Sequence, residues 1–395
     1  MRQLTIFDAL SSSQKNGPLI GVSHYECEAD AITAEDSNDA VHIIYAQKLS
    51  QQVQLFLDGF QGDCLYAMKA NPNEPLLKFL WQLGVHKFEM ASLREVEYLS
   101  EILPDAELFF MHPIKSRKAI RRSYELGVRN FAFDSLEELR KIESETDGAD
   151  DLSLFLRVRV EQTNAAHPLS GKFGASMQEA PLLLQRADQS ASTLGVTFHV
   201  GSQCMDPEAY CVAIENVAEM IKVSGVNVQK LDVGGGFPVS YPDMVPVSLN
   251  EYFSAIHKAL DACNLADKEI LCEPGRALVG EAGAVAVRVE MRKGKNLYIN
   301  DGTYGALFDA GVPGWSYPLE VIPLQDKIRS SLKKIPFKLF GPTCDSLDVM
   351  EGPFELPDDI EEGDWILFKN LGAYGFAMQT RFNGFYSETI VSVKG

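Results

Sequence analysis

Eight short apolar runs, each followed by a stretch of helical length, occupy the chain from Cys64 to Pro274 and dictate most of what it can fold into. They are CLYAM from Cys64, KFEMA from Lys87, ELFFM from Glu107, NFAF from Asn130, SLFLRVRV from Ser153, GVTFHV from Gly195, VQKLDV from Val228 and EILCEP from Glu269. Ahead of them, Val41 to Phe60 places Leu49, Val53, Phe56, Leu57 and Phe60 on one helical stripe, which predicts a helix. Ser92 with Glu95 and Ser135 with Glu138 have capping-box spacing, where hydroxyl and carboxylate satisfy the free amides of a first helical turn. This alternation favours an α/β fold, a closed parallel (β/α)8 barrel over 41–278, rather than an open sheet.

Beyond Leu278 the pattern changes. AVAVRVEM, NLYIND, FKLFGP and DWILFK are strand-like and are separated by Gly, Pro and acidic turns such as ELPDDIEEGD. A mostly-β domain is therefore expected over 279–395, and a length of 395 residues suits two domains.

Composition narrows the function. A formal charge of −19 argues against nucleic-acid binding, because an anionic surface repels a phosphate backbone. No apolar run approaches a membrane span, and the first residues lack a signal-peptide layout, so a cytoplasmic protein without membrane partners is expected. The seven cysteines are scattered and none forms a C-x-x-C pair, so neither a disulfide framework nor a metal site is suggested.

In such a barrel the chemistry sits where the strands end. Lys69 closes the first run; Arg157 and Arg159 lie on the fifth; His199 to Ser202 end the sixth; Gly234, Gly235 and Gly236 end the seventh; Glu273, Pro274, Gly275 and Arg276 end the eighth. Singly, each has an ordinary structural explanation: a strand-end lysine snorkels to water, and three glycines make a tight turn. Together they point further. Adjacent glycines near a helix start expose amides that cradle an anion, and Arg276 falls in the same zone. There is no G-x-G-x-x-G and no Gly-Lys-Ser/Thr tail, so nucleotide motifs fit poorly. A lysine, a phosphate cradle and an acid across the barrel suit pyridoxal phosphate, which needs an amine for its Schiff base and an acid to keep its ring nitrogen protonated.

Six segments in order, YAMKANP (from Tyr66), FHVGSQC (from Phe198), DVGGGFP (from Asp232), EPGR (from Glu273), GPTCDSLD (from Gly341) and GAYG (from Gly372), resemble the alanine-racemase-fold pyridoxal-phosphate decarboxylases of ornithine, lysine, arginine or diaminopimelate. The resemblance implies a β domain that also takes in part of residues 1–40. It implies Lys69 as the Schiff-base lysine, Glu273 on the pyridine nitrogen and His199 stacked on the ring. Gly234, Gly235, Gly236, Arg276, Ser202 and Tyr374 would hold the phosphate, and Arg157 and Gly275 would lie at the cofactor. Cys344 would return a proton to the α-carbon, and Asp345 would meet the substrate's distal cation. Those two would come from the neighbouring subunit of a homodimer with shared sites.

The chain also departs from the family pattern. Glu89 stands where relatives commonly carry Asp, and His112 to Ser116 (HPIKS) varies the usual Asn/Gly-Pro-x-Lys turn. After NDGTYG, where ornithine decarboxylases place a second acid, the offset falls on Pro313, with Asp309 nearby. Cys344-Asp345-Ser346 replaces the Cys-Glu-Ser of diaminopimelate decarboxylases, which favours a basic amino acid over diaminopimelate. The six ordered motifs, with Lys69, Cys344 and Asp345 all present, lead to ornithine or lysine, converted to putrescine or cadaverine, as the expected substrate. The alternatives are a decarboxylase of diaminopimelate, arginine or a carboxyalkyl polyamine, an amino acid racemase, or a non-catalytic regulator of the same fold.

Overall fold

The computed structural model describes residues 17–160, 165–167, 171–323 and 333–394, so residues 1–16 of the N-terminal segment lie outside it. Eight parallel strands close into a barrel: β1 (Asp63–Ala67), β2 (Lys87–Met90), β3 (Glu107–Phe110), β4 (Asn130–Phe133), β5 (Ser153–Arg157), β6 (Thr193–Thr197), β7 (Lys230–Asp232) and β8 (Glu269–Cys272). Each overlaps one of the eight apolar runs. Closure is made by β8 on β1, where Cys272 is level with Cys64, and by β6 on β7.

Alternate residues of these strands face inward and outward. Leu65, Phe109, Met111, Ala132, Phe155 and Leu271 form a separate fully buried cluster. Gly195 on β6 belongs with it, because a Cβ there would lie 2.4 Å from the Phe155 ring, so the glycine makes room for that phenyl group. The outward-facing residues pack under the helices in a second, larger core.

The caps behave differently from one another. Ser92 and Glu95 form a reciprocal capping box at the start of Leu93–Ile102. At Leu136–Glu145 only half of the expected box forms: the Ser135 hydroxyl accepts the Glu138 N–H. The Glu138 carboxylate instead takes the Lys115 N–H and lies 3.0 Å from the buried Lys115 Nζ of HPIKS. A buried ammonium has a stronger claim on that acid than an amide that water can reach.

The helix expected from Val41 begins only at Ala46. Val41–Tyr45 is a fully buried strand that belongs to the sheet outside the barrel. A continuous apolar VHIIY rich in β-branched residues suits a strand buried on both faces, a pattern that periodicity cannot separate from a buried helix. Within a nine-stranded sheet it lies between the parallel strand Ile390–Val393 and the antiparallel strand Gly283–Lys293. Ser23–Tyr25 pairs with Ile390–Val393. Asn296–Ile299, Lys334–Phe340, Val349–Pro357, Leu319–Ile322 and Trp365–Lys369 complete the sheet. Among the described residues no helix is long and apolar enough to cross a membrane.

Candidate active site

Lys69 sits in a 3-10 turn, Met68–Ala70, directly after β1. The turn is fastened to the GAYG loop, since Tyr374 donates its N–H to the Ala70 carbonyl (2.7 Å) and the Asn71 amide donates to the Gly372 carbonyl (2.9 Å). Tyr374 adopts φ +61°, an uncommon conformation for a non-glycine residue. The break at Asn71-Pro72 therefore serves as an anchor as well as a stop.

The Lys69 Nζ lies 2.6 Å from Oε2 of the buried Glu89. Burial alone would pull the ammonium's pKa down, but Glu89 and then Glu273 outweigh it, and the net shift is upward. The longer carboxylate at position 89 thus reaches the lysine and holds its charge.

Across the cavity, Glu273 follows β8 and is buried, and its Oε1 has no hydrogen-bond partner among the described residues. Burial first, then Asp232 and Glu89, push its carboxyl well above the usual range, and Lys69 and Arg157 oppose them only in part. Asp232, fully buried, accepts from the Gly234 N–H and the Thr197 hydroxyl (2.9 Å each). Burial also raises its pKa. A buried carboxyl with an open oxygen suits a cationic N–H donor such as a pyridinium.

His199 Nδ1 accepts the Gly201 N–H at 3.0 Å. Burial, then Arg157 and Lys69, drop its pKa to about 3, so the imidazole is neutral at ordinary pH.

The opposite end of the cavity is glycine-built. A Cβ on Gly235 would come within 2.6 Å of the Glu273 carbonyl, and one on Gly236 within 2.3 Å of the Gly201 carbonyl. Gly236 has φ +100°. Arg276 opens a short helix there and is buried; both terminal nitrogens are occupied by Asp309, at 2.6 and 3.1 Å, while its Nε has no partner among the described residues.

Lys69, Arg157, His199, Ser202, Gly235, Gly236, Glu273, Gly275, Arg276 and Tyr374 all line one cavity of about 100 Å³. Gly234 does not line it: a Cβ there would strike the Phe198 carbonyl at 2.1 Å, and its N–H is taken by Asp232, so it shapes the turn beneath the cradle. Arg159 is likewise absent from the lining; its N–H bonds the Ala175 carbonyl.

Cys344 and Asp345 stand apart from this cavity. They lie on the loop between Lys334–Phe340 and Val349–Pro357, where Cys344 is exposed and its Sγ is 3.3 Å from Asn383 Oδ1. Asp345 accepts from the Leu347 N–H (2.9 Å) and the Tyr304 hydroxyl (2.8 Å), and these donors, in that order, hold its carboxyl below the usual range.

Sequence reasoning missed Asp232 as a member of the acid pair, although it opens the DVGGGFP motif. It also missed Tyr241 and Tyr317 beside Arg276, for which the sequence carries no signal.

The open oxygen of Glu273, the open Nε of Arg276 and a cradle that any Cβ would fill fit pyridoxal phosphate, with Lys69 as its amine.

Comparison with known proteins agrees with that chemistry. The sequence model of a family described as pyridoxal-dependent decarboxylase, pyridoxal binding domain, matches residues 42–280. A lysine/ornithine decarboxylase of Selenomonas ruminantium is 34% identical over 330 residues, 81% of each chain. Antizyme inhibitor 2 of Xenopus laevis is 32% identical, covering 82% of this chain and 74% of that protein. Among solved structures, the arginine decarboxylase of Paramecium bursaria Chlorella virus bound to agmatine superposes with a TM-score of 0.81 at 27% identity, over 92% of this chain and 98% of the other. Barrel, cavity and relatives agree that this chain belongs to the pyridoxal-phosphate-dependent decarboxylases of basic amino acids, which are carboxy-lyases of the alanine-racemase fold type.

Proposed function

We propose that this chain decarboxylates ornithine or lysine, forming putrescine or cadaverine. The observation that carries the reading is Asp345: an aspartate kept ionised by Tyr304 and the Leu347 amide, next to the Cys344 thiol, in a chain that supplies the cofactor residues as well. A single carboxylate suits an unbranched side chain ending in one cation. The lysine/ornithine decarboxylase of Vibrio vulnificus, solved with cadaverine and with putrescine, supports it at TM-scores of 0.78 and 0.79 and 27% identity.

When bound, pyridoxal phosphate supplies the electron sink for the carbanion left by departing CO2. Lys69 provides the attaching amine, and Glu89 holds that amine in the barrel mouth until it is used. Glu273 keeps the proton on the ring nitrogen. The neutral His199, which lines the same cavity, would pack against the cofactor without placing a second cation there. Ser202, Gly235, Gly236 and Arg276 hold the phosphate. Cys344 returns a proton to the α-carbon, and Asp345 orients the substrate through its distal ammonium.

Cys344 and Asp345 reach this site from a second copy, in a homodimer with two shared sites. The exposure of Cys344, and the position of both residues away from the cavity of their own chain, support that arrangement. Mixing inactive Lys69→Ala and Cys344→Ala proteins is expected to restore roughly a quarter of wild-type turnover, the share of sites that random pairing leaves intact. No recovery under subunit exchange sinks the shared site.

Cofactor-loaded protein incubated separately with ornithine, lysine, arginine and diaminopimelate, with CO2 and amine followed, tests the substrate. Ornithine or lysine should be turned over best, and turnover confined to arginine or diaminopimelate rejects the proposal. A catalytically silent regulator would show no lysine-bound chromophore.

A further inference from the structure

Asp309, on the short helix Phe308–Gly311, is the acid nearest to Pro313. It is buried and already committed. Its Oδ2 accepts from Arg276 Nη1 at 2.6 Å and its Oδ1 from Nη2 at 3.1 Å, a two-pronged pairing along one edge of the guanidinium. The Tyr317 hydroxyl also donates to Oδ2. The Tyr241 hydroxyl lies 2.9 Å from Nη1. The Tyr241 ring stacks on Trp315, and the guanidinium sits 5.2 Å over the Trp315 ring and 4.8 Å over that of Tyr374. An arginine held on one edge, with aromatic rings against its guanidinium, can offer only its other edge. There the Nε–H is buried, without a partner among the described residues, in a side chain that lines the cavity with Gly235, Gly236 and Ser202.

We infer that Asp309 is a positioning residue for Arg276: it fixes the guanidinium so that Nε meets the cofactor phosphate, and it is therefore withheld from the substrate's distal ammonium. Tyr241, Asp309 and Tyr317 converge on this one cation, and both Asp309 oxygens are taken by a buried guanidinium, whereas the Asp345 oxygens accept only from neutral donors, an amide and a phenol. The arrangement also gives the buried arginine a counter-charge before any cofactor arrives. Preorganisation of this kind lowers the ordering cost of binding the anion. The carboxylate that meets the substrate is then Asp345 alone, which explains how the chain accommodates Pro313.

The inference rests on the reading of the glycine end of the cavity as the phosphate end, so the test separates the two. Cofactor-free protein is titrated with pyridoxal phosphate and with pyridoxal, which lacks the phosphate, and the ratio of affinities is read from the lysine-bound chromophore. Asp309→Asn should lower that ratio about tenfold, the scale of one charge-assisted hydrogen bond, with pyridoxal affinity unchanged. Tyr317→Phe, which keeps the packing, should move the ratio the same way by about threefold and serves if Asp309→Asn fails to fold. Arg276→Gln should lower it at least as far as Asp309→Asn. If Arg276→Gln leaves the ratio alone, the phosphate assignment fails and the inference with it. If Arg276→Gln lowers the ratio while Asp309→Asn and Tyr317→Phe do not, only the inference fails. A steep rise in KM for lysine and ornithine in Asp309→Asn at saturating cofactor, with an unchanged ratio, would make Asp309 a substrate carboxylate and overturn it.

Discussion

Lys69, His199 and Glu273 follow directly on strands of a closed barrel, and Glu89 lies on one, each buried or paired within the same chain; Cys344 and Asp345 ride on an exposed loop of the sheet. At the barrel end, neighbouring backbone constrains the loops closely, down to glycines whose replacement would collide with carbonyl oxygens. On the loop, two hydrogen bonds orient Asp345, and Asn383 Oδ1 meets both the N–H and the Sγ of Cys344. The residues proposed to hold the cofactor thus lie in the rigid part, and those proposed to choose the substrate lie where change costs the fold least.

The comparison breaks first at Lys69. Lys69→Ala should abolish the lysine-bound chromophore and cut turnover by at least about 10³-fold, while the fold, measured by circular dichroism, persists. Retained turnover would remove the barrel end from the chemistry.

Next in size is His42, on the strand that joins the sheet to the barrel side of the molecule. Burial holds its folded-state pKa at about 4, below the ordinary 6.5, and its Nε2 has no hydrogen-bond partner among the described residues. The unfolded chain therefore takes up this proton first, and stability falls as pH drops from 6.5 toward 4, by roughly 3 kcal/mol from this group. Urea midpoints at pH 7 and 4.5 should show that slope, and His42→Leu should flatten it. An equal slope in the variant assigns the acid sensitivity elsewhere.

Gly235→Ala sharpens the contrast. A Cβ 2.6 Å from the Glu273 carbonyl should force the cradle open at a cost of about 1–3 kcal/mol, read as weaker cofactor binding. The loop should respond differently. Asp345→Asn should raise the KM for lysine and ornithine about tenfold and leave cofactor affinity untouched. A cofactor defect in Asp345→Asn would erase the distinction between the two regions.

The barrel was legible because each of its strands is a short apolar run bounded by turn residues, and the site because Lys69, Gly235, Gly236, Glu273 and Arg276 fall where those runs end. Val41–Tyr45 was not, since five buried residues look alike in strand and helix until a partner strand is known. Nor was the clamp on Arg276: Tyr241, Asp309 and Tyr317 meet only in three dimensions, and no local spacing announces them. Glu138 shows a local rule overridden, its cap given up for a buried lysine.

The strand Val41–Tyr45 lies between Gly283–Lys293 and Ile390–Val393, so the barrel is an insertion within the sheet. During synthesis this apolar strand leaves the ribosome long before either neighbour exists, and its edges stay open while the barrel forms. Fragments that stop short of Ile390 keep one of those edges open permanently. Their expected fate is aggregation or chaperone capture, even though every cofactor residue named above precedes the cut.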